Sequence, residues 1–162
     1  MAPPAVALPA EPPWLADAAI DWAAAILESH ATAFGQPLLA GIGPGDARSG
    51  RQRAQELFTA PLVVLAHDGG ADPRLTYANA AALRLWRCPW GDLVGLPSRL
   101  TAEPARRPER AAALALARQR TALRGYAGIR VDRRGGRFAL RDARLWSVGA
   151  GQAAAFDDWC RL

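Results

Sequence analysis

PLVVLAHDGGADPRLTYANAAALRLW (residues 61–86) decides the fold. Leu62 to His67 is an unbroken apolar run, the mark of a strand buried on both faces. Asp68-Gly69-Gly70 is turn chemistry: glycine supplies positive φ and aspartate bonds its own backbone. Leu75 to Ala78 is the returning strand. Asn79 then stands before Ala80–Trp86, an Ala/Leu-rich helix whose first N–H groups its amide is placed to cap. Downstream, Pro89 opens one helical turn that Gly95 stops. A break over Thr101-Ala102-Glu103-Pro104 precedes a long helix from Pro108 to Leu123, with Leu114, Ala117 and Leu123 inward and Gly125 as its cap. Three strands follow: Tyr126–Asp132, Arg137–Ser147 with a bulge near Arg141-Asp142, and Gln152–Trp159. The reading is an α+β domain with about five antiparallel strands and helices inserted between the second and third.

Upstream, Trp14, Ala18, Trp22, Ile26 and His30 recur every four residues, so one helix from about Pro13 to Ala33 carries an apolar stripe. Such a face either packs on this domain's own sheet or pairs with a second copy, which makes Trp14, Trp22 and Ile26 candidates for a homodimer interface. Residues 1–13 read as a Pro/Ala tail, residues 14–50 as the helix plus a Gly-rich link, and residues 51–162 as the folded domain.

The chain has 162 residues, 51% of them hydrophobic, enough to bury an ordinary core. All basic residues are arginine, and net charge is +5. Thirteen arginines crowd between Arg99 and Arg144 against Glu103, Glu109, Asp132 and Asp142. They are spread over a helix and three strands with no recognition motif, so nucleic acid is not the expected partner. Cys88 and Cys160 form neither a disulfide framework nor a metal-ligand spacing. The N-terminus lacks the pattern of a secretory signal, and no apolar run is long enough to span a membrane. A cytoplasmic protein is expected.

FGQPLL (34–39), ELFTAPLVVLAHDGGADP (56–73), YANAAALRLW (77–86), LPSRLTAEP (96–104), GYAGIRV (125–131), GRFAL (136–140) and GQAAAFDDW (151–159) resemble, in the same order, the words of the MEKHLA domain family. That family ends the plant class III homeodomain-leucine zipper regulators and also occurs as short free-standing bacterial proteins. The resemblance implies a PAS-like fold, a curved sheet cupping a small cavity. Two places depart from the family pattern: Pro108 within Arg107-Pro108-Glu109-Arg110, and the short Val148-Gly149-Ala150 hairpin. With no homeodomain or zipper here, DNA binding does not carry over.

The PAS-like reading nominates Tyr77, Asn79, Trp86, Ser98, Arg99, Glu103, Arg130 and Phe138 for a ligand site. Arg99 offers a two-pronged clamp for a carboxylate or phosphate, with an Arg99–Glu103 pair as its structural counterpart. His67, Asp68 and Asp72 cluster at the first hairpin, where a metal or acid–base role competes with plain turn bonding. His30 belongs to the apolar stripe and reads as packed and hydrogen-bonded. The reactive-cysteine word of flavin photoreceptors is missing and the long helix has no histidine, so flavin and haem are not expected. A sensory or protein-interaction module, binding a small ligand or dimerising, is the leading expectation. A small hydrolase- or isomerase-type enzyme using His67/Asp72 or Arg99/Glu103 is the alternative.

Overall fold

The computed structural model describes residues 10–43 and 45–162. The expected tail lies outside the described residues over positions 1–9. The helices are α1 (Asp17–Phe34), α2 (Gly50–Thr59), α3 (Ala80–Trp86), α4 (Trp90–Leu93) and α5 (Arg107–Arg120). The strands are β1 (Val63–His67), β2 (Leu75–Ala78), β3 (Ala122–Val131), β4 (Arg137–Val148), β5 (Gly151–Phe156) and β6 (Asp158–Arg161). They form one antiparallel sheet in the order β2-β1-β5-β4-β3, with β6 pairing β4.

Side chains alternate across a strand, so the sheet divides the interior into two cores. Val64, Ala66, Tyr77, Trp146, Ala153 and Ala155 meet Ala23, Ile26 and Leu27 of α1 on one face. Val63, Leu65, Leu75, Phe138, Leu140 and Phe156 meet Leu85 and Trp86 of α3 on the other. The apolar stripe of α1 is therefore used within the chain. Ile26, expected at an interface between copies, is fully enclosed by this first core. Trp14 stacks on Phe58 with ring centroids 3.9 Å apart. Trp22, half-buried, borders an open groove shared with Trp90.

Three elements differ from the sequence reading. The long helix ends at Arg120, because Ala122 and Leu123 pair with Trp146 and Leu145. Thr121, at φ 63°, makes the reversal. Gly125, expected as the helix cap, sits at φ 71° where the β3–β4 register shifts. The last strand is two strands. Asp142 adopts φ 51°, between Arg141, which pairs with Asp158 of β6, and Arg144, which pairs with Ala155 of β5. The expected bulge is thus the point where β4 changes partners. Among the described residues, no helix is long and apolar enough to cross a membrane.

Asn79 holds the start of the sheet together and is fully buried. Its Oδ1 accepts from the N–H of Val64 (3.0 Å) and of Ala82 (3.1 Å). Its Nδ2 donates to the carbonyls of Leu57 (3.3 Å) and Leu62 (2.7 Å). One amide thus caps α3, closes α2 and fixes β1. Losing a helix N-cap costs about 1 kcal/mol, and each buried polar group left orphaned costs about 1–3 kcal/mol more. Asn79→Ala is expected to lower unfolding free energy by about 2–4 kcal/mol in urea titrations. Asn79→Asp is not expected to restore it, because a carboxylate cannot donate to the two carbonyls.

Candidate functional site

The second face of the sheet is not filled. Between it and α5 lies a cavity of about 60 Å³, walled by Leu65, Leu75, Leu140, Ala143, Leu145, Ala154 and Phe156. Trp86 closes one side, and Arg110 and Leu114 of α5 form the roof. A wider, open cleft of about 610 Å³ lies outside it, bordered by Asp72, Ser98, Arg99, Arg107 and Arg118. His67, Arg110, Leu114 and Gln152 line both spaces and so form the neck between them.

His67 ends β1 directly opposite Gln152 of β5. Its Nδ1 accepts from the backbone N–H of Gly69 at 3.2 Å. Burial, reinforced by the nearby charge of Arg110, lowers its pKa from 6.5 to about 4. The ring is therefore neutral at pH 7 with its proton on Nε2, and among the described residues that buried nitrogen has no partner. Gln152 mirrors it. Its Nε2 donates to the carbonyl of Leu114 at 2.8 Å, which leaves Oε1 buried and, among the described residues, without a partner. Two glycines permit this pairing. A Cβ on Gly69 would lie 1.9 Å from the Ala150 carbonyl oxygen, and one on Gly151 would lie 2.0 Å from that of His67. The two hairpins pack backbone to backbone.

Arg110 and Arg130 bring positive charge to the same cavity. Arg130, 8% exposed, donates to Tyr126 Oη at 2.8 Å and to the Ile129 carbonyl at 3.0 Å. Burial, with the charge of Arg130 beside it, lowers Arg110 to about 10, so it stays cationic at neutral pH. Among the described residues neither arginine has a carboxylate partner. Buried Asp132 is the opposite case, taking Arg161 Nη1 at 2.6 Å, Arg87 Nε at 3.4 Å and two backbone N–H groups.

Of the residues nominated from sequence, Trp86 and Arg130 line the cavity, while Ser98 and Arg99 line the outer cleft. The others go elsewhere. Tyr77 faces the α1 side, edge-on to Trp90 at 5.6 Å. Asn79 is consumed by backbone bonds, and Phe138 packs against Trp86 at 5.0 Å without reaching the cavity. Arg99 and Glu103 do not pair: Arg99 takes Asp72 at 3.1 Å and Glu103 takes Arg137. Asp68 Oδ1 accepts from the N–H groups of Gly70 and Arg74, so it serves the turn. Among the described residues no group of three or more His, Cys, Asp or Glu side chains is placed to hold a metal. His30 is fully used: Nδ1 donates to the Gln36 carbonyl at 3.0 Å, and Nε2 accepts from Arg144 at 2.8 Å. Cavities for drug-sized ligands run to roughly 300–1,000 Å³, so a flavin or haem does not fit this one as it stands.

Sequence reasoning passed over Arg110, Tyr126 and Gln152. The signal for Arg110 is helical spacing, since Arg110, Leu114 and Ala117 recur on one face of α5. The signal for Gln152 is one amide between glycine and three alanines in a strand.

The MEKHLA domain model matches residues 20–161. No curated protein matches the chain significantly. A PAS domain from Colwellia psychrerythraea superposes with TM-score 0.57 at 12% identity, over 67% of this chain and 94% of that one. An RNA-binding light-oxygen-voltage receptor gives 0.56 at 21% identity over 76% of this chain, which spans 36% of that receptor. The PAS domain of a LuxR-family transcriptional regulator from Burkholderia thailandensis, solved with ethanol, gives 0.52 at 15%, over 64% and 94%. The fold is that of PAS domains.

His30 and His67 are the two histidines of the chain, and burial lowers both from 6.5 to about 4. Below pH 6.5 the unfolded chain takes up two protons that the folded chain refuses until about pH 4. Stability is therefore fullest above this window and falls as pH drops through it, by about 1.4 kcal/mol per pH unit for each histidine at most. Denaturant titrations across the window check this, and His67→Gln is expected to remove about half of the slope.

Proposed function

The chain belongs to the MEKHLA domain family, and on that premise we propose that it is a PAS-type sensory module that binds a small ligand in the cavity under α5 and reports occupancy through that helix. One observation carries the reading. A buried donor, His67 Nε2–H, and a buried acceptor, Gln152 Oε1, belong to two residues that line the cavity, and among the described residues neither atom has a partner. Leaving such groups unmade costs about 1–3 kcal/mol each, which a ligand recovers.

The roof supports the sensory half of the proposal. Of the 14 residues of α5, Ala117 alone is fully buried. The helix ends on Thr121 at φ 63°, a conformation a β-branched residue resists. Such an element lies at the low end of local stability. It also carries Arg110 and Leu114 into the neck, so a ligand touches the element it has to move. The two pairs nominated for acid–base work, His67/Asp72 and Arg99/Glu103, are not bonded to each other among the described residues. Asp72 turns to Arg99, Glu103 to Arg137, and among the described residues His67 has no carboxylate bonded to it.

Native mass spectrometry of protein from its own host tests this. A small non-covalent mass, lost on denaturation and absent from a folded Ala154→Phe variant, is the expected result. Bound ligand is also expected to slow amide exchange over residues 107–120. A bare protein whose exchange over those residues no member of a small-metabolite panel alters would overturn the reading.

A further inference from the structure

Four polar groups converge on the neck and the cavity, and their chemistry restricts what fits between them. Arg110 and Arg130 supply two guanidinium groups with no carboxylate among the described residues. Arg130 is 8% exposed and Arg110 half-buried, and two cations side by side repel, so an anion between them converts a cost into a clamp. His67 adds an N–H donor whose identity is fixed, because its other nitrogen accepts from Gly69. Gln152 adds an acceptor whose identity is fixed too, because its amide nitrogen is committed to the Leu114 carbonyl. A ligand that satisfies all four brings negative charge and one hydrogen-bond donor. An ammonium donor is disfavoured beside two arginines, which leaves a hydroxyl.

Size and wall chemistry narrow it further. A water needs about 10–15 Å³ of such space, so the 60 Å³ present holds about four to six non-hydrogen atoms. The remaining wall is mostly hydrocarbon from Leu65, Leu140, Ala143, Leu145 and Phe156; the hydroxyls of Thr101 and Tyr126 are already bonded to Ser98 and Arg130, and the Trp86 indole adds one further N–H. Inorganic phosphate would set oxygens against that wall without partners, whereas a carboxylate confines its oxygens to one end. The approach suits an anion: Arg107 and Arg118 border the outer cleft, and its one acid, Asp72, is paired with Arg99.

Building on the ligand-binding reading above, we propose that the cavity is a site for a short hydroxy-monocarboxylate such as glycolate or lactate. Arg110, Arg130 and the Nε2–H of His67 hold the carboxylate, Gln152 Oε1 accepts from the hydroxyl, and the carbon end packs on the sheet.

Isothermal titration with lactate, propionate, propane-1,2-diol and inorganic phosphate, at constant ionic strength, tests it. Lactate is expected to bind best, propionate more weakly, and the diol and phosphate not measurably. Arg110→Gln, on a half-exposed helix position, is expected to weaken lactate about ten- to a hundredfold. Gln152→Leu is expected to erase the preference for lactate over propionate while propionate binding persists. Diol binding equal to lactate overturns the anion assignment and leaves the ligand-binding reading standing. Stronger binding of phosphate overturns the carboxylate. If none of the four binds while native mass spectrometry still finds a retained small molecule, the hydroxy acid assignment alone falls. If neither experiment finds a ligand, both fall.

Discussion

The buried amide of Asn79 is the fixed point of this structure. Four backbone groups from α2, the β1 approach and α3 end on one side chain. Because it holds Val64, the position of every later residue of β1 follows by counting along a short strand. His67 is three residues on, and the β1–β5 register then sets it opposite Gln152. A polar residue that the sequence offers as a helix cap is in fact what aligns the sheet with the cavity several residues away.

Most of the fold is legible in the sequence, because its signals are local. The apolar run of β1, the Asp68-Gly69-Gly70 turn and the Asn79 cap each follow from covalent geometry or hydrogen-bond capacity. The failures are all non-local. Nothing near Ala122 says that Trp146 will claim it as a strand partner, or that Asp157 interrupts the final strand. The candidate site is legible only in part for the same reason. Trp86 and Arg130 were visible as an aromatic and a charge on elements facing inward. Arg99 and Glu103, neighbours in sequence, found separate partners in Asp72 and Arg137. Arg110 and Gln152 come together only once α5 is laid over the sheet.

The molecule treats its interior polar groups unevenly. Asp132 is surrounded by donors and makes the β3–β4 hairpin and the Arg161 end of β6 one rigid unit. His30 has both ring nitrogens engaged on the α1 face. Across the sheet, His67, Gln152 and Arg110 keep groups unspent around a space of about 60 Å³.

The strand order has a consequence for how the chain reaches this state. β1 is flanked by β2, its neighbour in sequence, and by β5, which begins only at Gly151. Until β5 arrives, β1 has one unpaired edge, and its five residues, all buried in the finished domain, lack half of their cover. Pairing across so long a stretch of chain is a slow event, dominated by loop-closure entropy. An open apolar edge is a template for association with other chains. The middle of the sequence therefore folds around an incomplete sheet, and the cavity exists only after the final hairpin has docked.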